Sequence, residues 1–170
     1  MNHKERIPAK ATRPEEQSDA IVVSFGSEWH EHLIAKRFGV VIRKRVPKSA
    51  DFKWLYFHIN NPVSAICARA PIEKIFSAKT KEVVALAKKI NLTPAEILAY
   101  IGNDTSMGCY QLGVIQIATK PATSAALSEQ LAYFPPQSFL IISTEAKVII
   151  DQVAGFSTTK VRRSGKKSKQ

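Results

Sequence analysis

The chain has 170 residues, of which 45% are hydrophobic and 8% aromatic, and it carries a formal net charge of +11. This length and composition predict one soluble globular domain and exclude general disorder. No apolar run approaches the roughly 20 residues of a membrane-spanning helix, and the first residues lack the apolar stretch of a secretory signal. We therefore expect a cytoplasmic protein without a membrane partner.

The positive charge is concentrated at the C-terminal end. Residues 157–170, STTKVRRSGKKSKQ, contain six basic residues and no acidic one, whereas residues 1–19 contain four of each sign. We therefore expect a disordered lead over residues 1–19, a folded domain over residues 20–156 and a flexible basic tail over residues 157–170. Such a tail attracts polyanions through counterion release. The alternative is a tail that only increases solubility.

The first half of the domain is predicted to consist mainly of strands. The strand segments, rich in β-branched and aromatic residues, are AIVVSF at 20–25, VVIRKRV at 40–46, WLYFHI at 54–59 and VSAICARAPIEKIF at 63–76. Between the first two, Ser27 is a candidate N-cap for a helix over residues 28–38, which Gly39 would end. Pro71 predicts a bulge or an edge position in the fourth strand.

Helical signals are stronger in the second half. KTKEVVALAKKI at 79–90 carries an apolar face, and Thr93, Pro94 and Glu96 supply an N-cap, a first-turn proline and a capping-box acid to a following helix. Three further segments complete the predicted domain: an alternating strand over 110–119 ended by Pro121, a short helix near 124–133 and an amphipathic segment near 145–153.

This order of elements predicts an α+β domain. The helices are inserted into a largely antiparallel sheet and do not alternate regularly with strands, which disfavours a doubly wound nucleotide-binding fold. Five or six short strands could curl into a small mixed, mostly antiparallel β-barrel with flanking helices over its openings.

The sequence lacks the common signatures of catalysis and of metal or cofactor binding. It contains no GxxxxGK[ST], GxGxxG, HExxH or GxSxG segment. Cys67 and Cys109 are far apart and form no CxxC pair, which predicts buried free thiols. His30 and His32 would point to different faces of a helix, so a shared metal ion is not expected. We expect neither a metal nor a cofactor.

A cluster of basic residues around the second predicted strand is the main candidate site. Residues 36–48 contain six basic residues and no acid, among them Lys36, Arg37, Arg43, Lys44 and Arg45. Strand alternation would send Arg43 and Arg45 to one face and Lys44 to the other. Two guanidinium groups on one face suit phosphate. The alternative is an edge strand that charge protects against aggregation.

Two aromatic residues are candidates for stacking on nucleic-acid bases. Trp29 and Tyr110 each border a glycine-containing segment, where an aromatic ring could be exposed beside the basic strand. The alternative for both residues is a position in the hydrophobic core.

Several segments taken together resemble the ASCH family of the PUA-like superfamily. They are IVVSF followed by a helix, GVVIRKR, LYFHINNPVSAICARAPIEKI, GCYQLGVIQI and FPPQSF, which together span residues 21–142. The resemblance implies a small β-barrel with helices beside a cleft that binds RNA or modified nucleosides. Some members hydrolyse acetylated cytidine with a lysine and a threonine near the arginine strand and a distant glutamate. Residues 38–41 of this chain, FGVV, supply neither group, whereas Arg43 is retained and Lys36 could substitute for the lysine.

Three functional hypotheses follow. The leading one is an RNA-binding or other nucleic-acid-binding module in which Arg43 and Arg45 hold phosphate while Asn60, Asn61 and Tyr110 line the cleft. The second is a hydrolase acting on RNA or a nucleoside, either a ribonuclease or an acetylated-cytidine amidohydrolase; its acid–base candidates are Lys36, Lys53, Glu73 and Tyr110. The third is a module that binds another protein. The sequence leaves the oligomeric state open.

Overall fold

The computed structural model describes residues 17–48 and 51–157. These residues form seven strands, which are β1 (Gln17–Phe25), β2 (Val40–Arg43), β3 (Trp54–Ile59), β4 (Ala65–Lys79), β5 (Ser106–Leu112), β6 (Gln116–Thr123) and β7 (Leu140–Ser143). A 3-10 turn over Ser27–Trp29 precedes the first of six helices, which are α1 (His30–Ile34), α2 (Thr80–Ala85), α3 (Ala87–Ile90), α4 (Pro94–Ile101), α5 (Ser124–Gln130) and α6 (Thr144–Ala154).

The strands form one mixed sheet. Its order is β2-β5-β4-β3-β1-β7, and β6 pairs with β4 beside this path. The β1–β3 pair is parallel and the other pairs are antiparallel. The predicted α+β class with a mostly antiparallel sheet is therefore confirmed. Within the described ranges no pairing joins β2 to β7, so the sheet is open and the predicted closed barrel is not confirmed.

The long strand β4 has two different neighbours along one of its sides. Its first part pairs with β3 and β6, and its last part pairs with β5. Pro71 lies where the neighbour changes, and the pairing with β5 shifts register between Ile72 and Lys74. The expected irregularity near Pro71 is thus present, because a residue without an N–H is tolerated where the ladder is interrupted.

Three apolar clusters stabilise the sheet and its helices. One contains inward-facing residues of β1, β3, β4 and β5, a second lies under α5 and α6, and the third joins β2, β4 and β5 to α2, α3 and α4. The third cluster fixes α4 beside β2, and this contact creates the hollow described below.

The first helix is shorter than the sequence predicts. Its predicted range ended at Gly39, but α1 ends at Ile34, and Lys36 takes a left-handed conformation with φ 53°. The residue preceding the 3-10 turn is Gly26, so Ser27 is not an N-cap. The backbone turns away from the helical path at Lys36, which separates this lysine from β2.

Two other predicted elements are divided in the structure. The helix predicted over 79–90 is interrupted at Leu86, where φ −90° and ψ 7° separate α2 from α3. The strand predicted over 110–119 is two strands, β5 and β6, and β6 continues past Pro121. Pro121 is tolerated because it lies in the irregular part of the β4–β6 pairing, between the pairs of Ile117 and Ala122.

The predicted start of α4 is confirmed. Thr93 Oγ1 accepts from the backbone N–H of Glu96 at 3.2 Å, and Glu96 Oε2 accepts from the backbone N–H of Thr93 at 2.7 Å. Pro94 occupies the first turn. This capping box satisfies two N–H groups that a helix start leaves without intrahelical partners.

The ends of the chain are described only in part. β1 begins at Gln17, three residues before the predicted start of order. The rest of the predicted lead, residues 1–16, and nearly all of the predicted basic tail, residues 158–170, lie outside the described residues. None of the helices in the described part of the chain has the length and apolar character needed to cross a bilayer.

Candidate nucleic-acid interface

Arg43 ends β2 and is held by the backbone around it. Its Nη1 donates to the carbonyl oxygen of Ile42 at 2.8 Å and its Nη2 to that of Ser24 at 2.9 Å. The guanidinium carbon lies 4.2 Å above the centre of the Phe25 ring. Burial lowers the pKa of Arg43 from its ordinary value, and the Tyr100 and Tyr110 side chains oppose that shift. Arg43 is therefore an oriented, partly buried cation and not a freely exposed side chain.

Lys44 and Arg45 follow β2 instead of continuing it. The predicted strand over 40–46 ends at Arg43, so the expectation that Arg43 and Arg45 share one strand face is wrong. Both later residues are exposed. Lys44 Nζ lies 3.3 Å from a carboxylate oxygen of Asp104 and 5.8 Å from the centre of the Tyr100 ring.

The close approach of Val46 to β5 fixes the path of this basic segment. A Cβ atom added at Gly108 would lie 2.3 Å from Val46 Cγ1, which is far inside van der Waals contact. Only glycine at position 108 lets the chain after β2 pack this closely on β5. Because Val46 is held there, Lys44 and Arg45 lie over the end of the sheet.

Two surface hollows meet along this segment, and we name them together the basic groove. One, of about 270 Å³, is lined by Arg43, Lys44, Arg45, Tyr100, Gln137 and Ser138. The other, of about 490 Å³, is lined by Lys44, Arg45, Val46, Lys48, Ser77, Ser106, Met107, Gly108 and Phe139. None of these lining residues is acidic. The groove therefore presents four cations and several hydroxyl and amide groups, a combination that suits phosphate.

A smaller hollow, which we name the aromatic pocket, opens beside the groove. It measures about 190 Å³ and is lined by Phe25, Trp29, Phe38, Val40, Val41, Ile42, Arg43, Ile90, Leu92, Glu96 and Tyr100. The Trp29 and Phe38 rings meet edge to face with their centres 5.5 Å apart. Arg43 and Tyr100 line both this pocket and the basic groove. The basic groove and the aromatic pocket are therefore neighbours that share a cation and an aromatic ring.

Of the predicted stacking residues, the structure brings only Trp29 to the candidate site. Tyr110 is fully buried in the middle of β5, paired with Val41 and Ile75, so the expectation of an exposed ring is wrong. Its hydroxyl group has no hydrogen-bond partner among the described residues, and burial raises its pKa. Tyr110 is a core residue because β5 is covered by β2 on one side and by β4 on the other.

The remaining predicted binding residues lie outside the basic groove and the aromatic pocket. Asn60 and Asn61 are exposed in the turn between β3 and β4, and the Asn60 N–H donates to the Phe25 carbonyl oxygen at 2.9 Å. Lys36 and Arg37 are exposed after α1, where Arg37 Nη1 lies 3.4 Å from His32 Nδ1. None of these four lines the basic groove or the aromatic pocket.

The four candidate acid–base residues are not assembled into a site. Lys36 follows α1, Lys53 precedes β3, Glu73 lies within β4 and Tyr110 is in the core. Glu73 accepts a hydrogen bond from Gln111 Nε2 at 3.1 Å. No described hydrogen bond or ion pair joins any two of the four.

Several residues that line the aromatic pocket and the basic groove were not predicted as site residues. Glu96 and Tyr100 come from α4, which was predicted only as a helix, and Gln137 and Ser138 come from the FPPQSF segment. That segment carried part of the family resemblance, so its polar residues were a usable signal. The position of α4 beside β2 is a tertiary contact with no local signal.

The cysteine prediction agrees with the structure. Cys67 and Cys109 are buried free thiols, and burial raises the pKa of each to about 11. The described ranges contain no group of three or more histidine, cysteine, aspartate or glutamate residues that could hold a metal ion.

A second charged cluster, not predicted from the sequence, is buried between β3, β4 and α6. Arg69 Nη1 lies 3.1 Å from Asp151 Oδ1, and the guanidinium is placed between the rings of Trp54 and Phe156 at 4.3 and 4.8 Å. Arg69 Nη2 also donates to the Ser157 carbonyl oxygen at 2.8 Å. None of these residues lines the aromatic pocket or the basic groove, so we interpret this cluster as structural.

The structure is similar to solved structures of ASCH proteins. The ASCH protein of Zymomonas mobilis superposes with a TM-score of 0.72 at 18% identity, over 79% of this chain and 95% of that one. A tyrosine-to-phenylalanine variant of that protein gives 0.73 at 18% identity over 80% and 99%, and a serine-to-alanine variant gives 0.74 at 18% identity over 82% and 99%. No protein-family model and no curated protein sequence matches the chain. The chain therefore has the fold of the ASCH domain.

Proposed function

We propose that the protein is a nucleic-acid-binding module that holds single-stranded RNA, with phosphates in the basic groove and one unpaired base in the aromatic pocket. The observation that supports this proposal is that Arg43 and Tyr100 line both the basic groove and the aromatic pocket. A cation-lined groove adjoining an aromatic pocket matches the two parts of a nucleotide, because phosphate is anionic and a base is a flat aromatic ring.

The basic groove supplies the affinity for phosphate in this proposal. Lys44 and Arg45 are exposed, and no acidic residue lines the groove itself, while Asp104 lies beside it at 3.3 Å from Lys44 Nζ. Arg43 contributes a charge whose position is already fixed by two carbonyl groups, so binding does not require ordering of its side chain. Contacts of this kind release counterions, and their affinity falls as salt rises.

The aromatic pocket favours a single-stranded ligand. Its volume of about 190 Å³ lies below the roughly 300 to 1,000 Å³ of ordinary small-molecule sites, which suits one ring system. A base can enter such a pocket only when it is free of its pairing partner, and sequence-specific RNA recognition uses unpaired bases for this reason.

The test is a binding titration of the full chain with single-stranded RNA, duplex RNA and single-stranded DNA at two salt concentrations. The informative variant is Lys44→Ala with Arg45→Ala, and the charge-matched control is Lys81→Ala with Lys120→Ala, which removes two exposed lysines outside the hollows. Each lost phosphate contact should reduce the slope of log affinity against log salt by about 0.7. Equal affinities of the two double variants would refute the proposal.

The basic tail requires a separate comparison. Removal of residues 158–170 leaves Ser157, whose carbonyl oxygen accepts the hydrogen bond from Arg69. We expect this truncated protein to bind more weakly and to retain its preference for single strands. Loss of all binding on truncation would mean that the tail, and not the groove, carries the affinity.

A hydrolase is the second candidate, and one observation favours it. Lys44 Nζ and the Asp104 carboxylate lie 3.3 Å apart beside the groove, which is within reach for proton transfer. Incubation with RNA and with acetylated cytidine tests this candidate. Product formation that Lys44→Ala abolishes would support hydrolysis, and stable substrates would favour binding alone.

A further inference from the structure

Glu96 is the single acidic residue among those that line the aromatic pocket. It is exposed, whereas Phe38 and Val40 of the same pocket are 6% and 3% exposed. Glu96 therefore belongs to the mouth of the pocket, and the buried apolar residues form its floor. A base whose sugar stays at the groove side of the pocket, beside Arg43 and Tyr100, must turn its Watson–Crick edge along this rim to meet the carboxylate.

The geometry of the helix start holds this carboxylate in position. Glu96 Oε2 accepts from the Thr93 backbone N–H at 2.7 Å, which is one of the two capping-box bonds, and also from the Thr93 hydroxyl at 2.9 Å. Among the described residues, Oε1 accepts no hydrogen bond. The bonds from Thr93 lower the pKa of Glu96, so the group is an anion at neutral pH. One oriented acceptor oxygen is thus available at the mouth.

We propose that Glu96 is a specificity-determining residue that favours bases carrying an exocyclic amino group over uracil. This inference rests on the proposed function of the pocket. An ionised carboxylate only accepts hydrogen bonds, so it pairs with the amino group of cytosine, adenine or guanine. At the corresponding position uracil has a carbonyl oxygen, which is also an acceptor and is repelled by the carboxylate.

Cytosine and uracil provide the sharpest comparison because they share one ring and differ only at C4 and N3, where cytosine has an amino group and an acceptor nitrogen and uracil has a carbonyl oxygen and an N–H. The probes are short oligo(C) and oligo(U) of equal length, titrated against the full chain at one salt concentration. Backbone contacts in the basic groove are the same for both oligomers. A hydrogen bond to a charged group predicts a preference for oligo(C) of about tenfold or more.

The diagnostic variant is Glu96→Gln. A glutamine also serves in a capping box, so the start of α4 is retained while the acceptor-only carboxylate is replaced by an amide that both donates and accepts. The matched control is Glu129→Gln, which changes an exposed glutamate of α5 that lines neither hollow. We expect Glu96→Gln to bring the ratio of the two affinities close to one and Glu129→Gln to leave it unchanged.

The outcomes separate this inference from the proposed function. Tight binding of both oligomers with equal affinity by the unmodified protein would overturn the role of Glu96 and leave the function standing. A preference for oligo(C) that survives in Glu96→Gln would do the same. Failure of the unmodified protein to bind either oligomer would overturn the proposed function, and the role of Glu96 with it.

Discussion

Replacement of Arg69 by methionine should strongly destabilise the protein without touching the candidate interface. Arg69 is 3% exposed and pairs with Asp151, which is 1% exposed. Methionine has a similar length and fills the space between Trp54 and Phe156, so the main effect is the loss of charge. The Asp151 carboxylate then remains buried without its guanidinium partner.

The size of the effect follows from what Asp151 retains. Breaking a buried ion pair costs about 3 to 5 kcal/mol when one charge is left behind. Asp151 keeps Lys147, whose Nζ lies 3.0 Å from Oδ2, and the hydroxyl donor of Tyr56. We therefore expect the lower end, about 3 kcal/mol, which at about 2 to 4 °C per kcal/mol lowers the melting temperature by about 6 to 12 °C.

Urea and thermal unfolding measure this loss of stability, and two further variants test whether it comes from the buried charge. Lys147→Met removes a partly exposed partner of the same carboxylate and should cost less than about 1 kcal/mol. Arg69→Met combined with Asp151→Leu removes both buried charges and should recover most of the loss, although Tyr56 then lacks its acceptor. A loss of stability in Arg69→Met no larger than that in Lys147→Met would show that the buried pair contributes little to the fold.

Three further predictions concern other buried positions. Burial lowers the pKa of His58, whose Nδ1 lies 3.0 Å from the Tyr133 hydroxyl oxygen, so the unfolded chain binds a proton at higher pH than the folded protein does. The free energy of unfolding, measured by urea titration, should therefore fall as pH drops below about 6.5, and it should fall less in His58→Gln. Gly108→Ala should clash with Val46 and cost about 1 to 3 kcal/mol in the same assay; unchanged stability would contradict the close packing. Tyr110→Phe removes a buried hydroxyl group with no described partner and should be neutral or stabilising, whereas a large loss of stability would reveal a partner.

The fold class could be predicted from local patterns, but the boundaries and pairing of its elements could not. The β-branched runs located β1 and β3, and the capping box located the start of α4, because these signals depend on neighbouring residues only. The barrel was predicted from strand number and from the family resemblance. Strand number does not determine pairing, and the order with β2 and β7 at opposite ends is set by long-range contacts.

The basic residues of the candidate site were predicted, whereas only Trp29 of its aromatic part was. Arg43, Lys44 and Arg45 were found because an acid-free basic run is visible in one sequence. Tyr110 was misplaced because the glycine-containing segment that precedes it was taken to leave the ring exposed, whereas the pairing of β5 with β2 and β4 buries the ring. Glu96 and Tyr100 reach the pocket only because α4 packs against β2.

The change of neighbours along β4 determines which fragments of this protein can be studied. One continuous strand of fifteen residues pairs with β3 and β6 along its first part and with β5 along its last part. A cut anywhere within β4 would expose unpaired backbone on both sides of the break, so neither fragment would retain a complete sheet. Amide hydrogens of β4 should consequently exchange only when the whole domain opens, and the interface must be dissected by substitution, not by division of the chain.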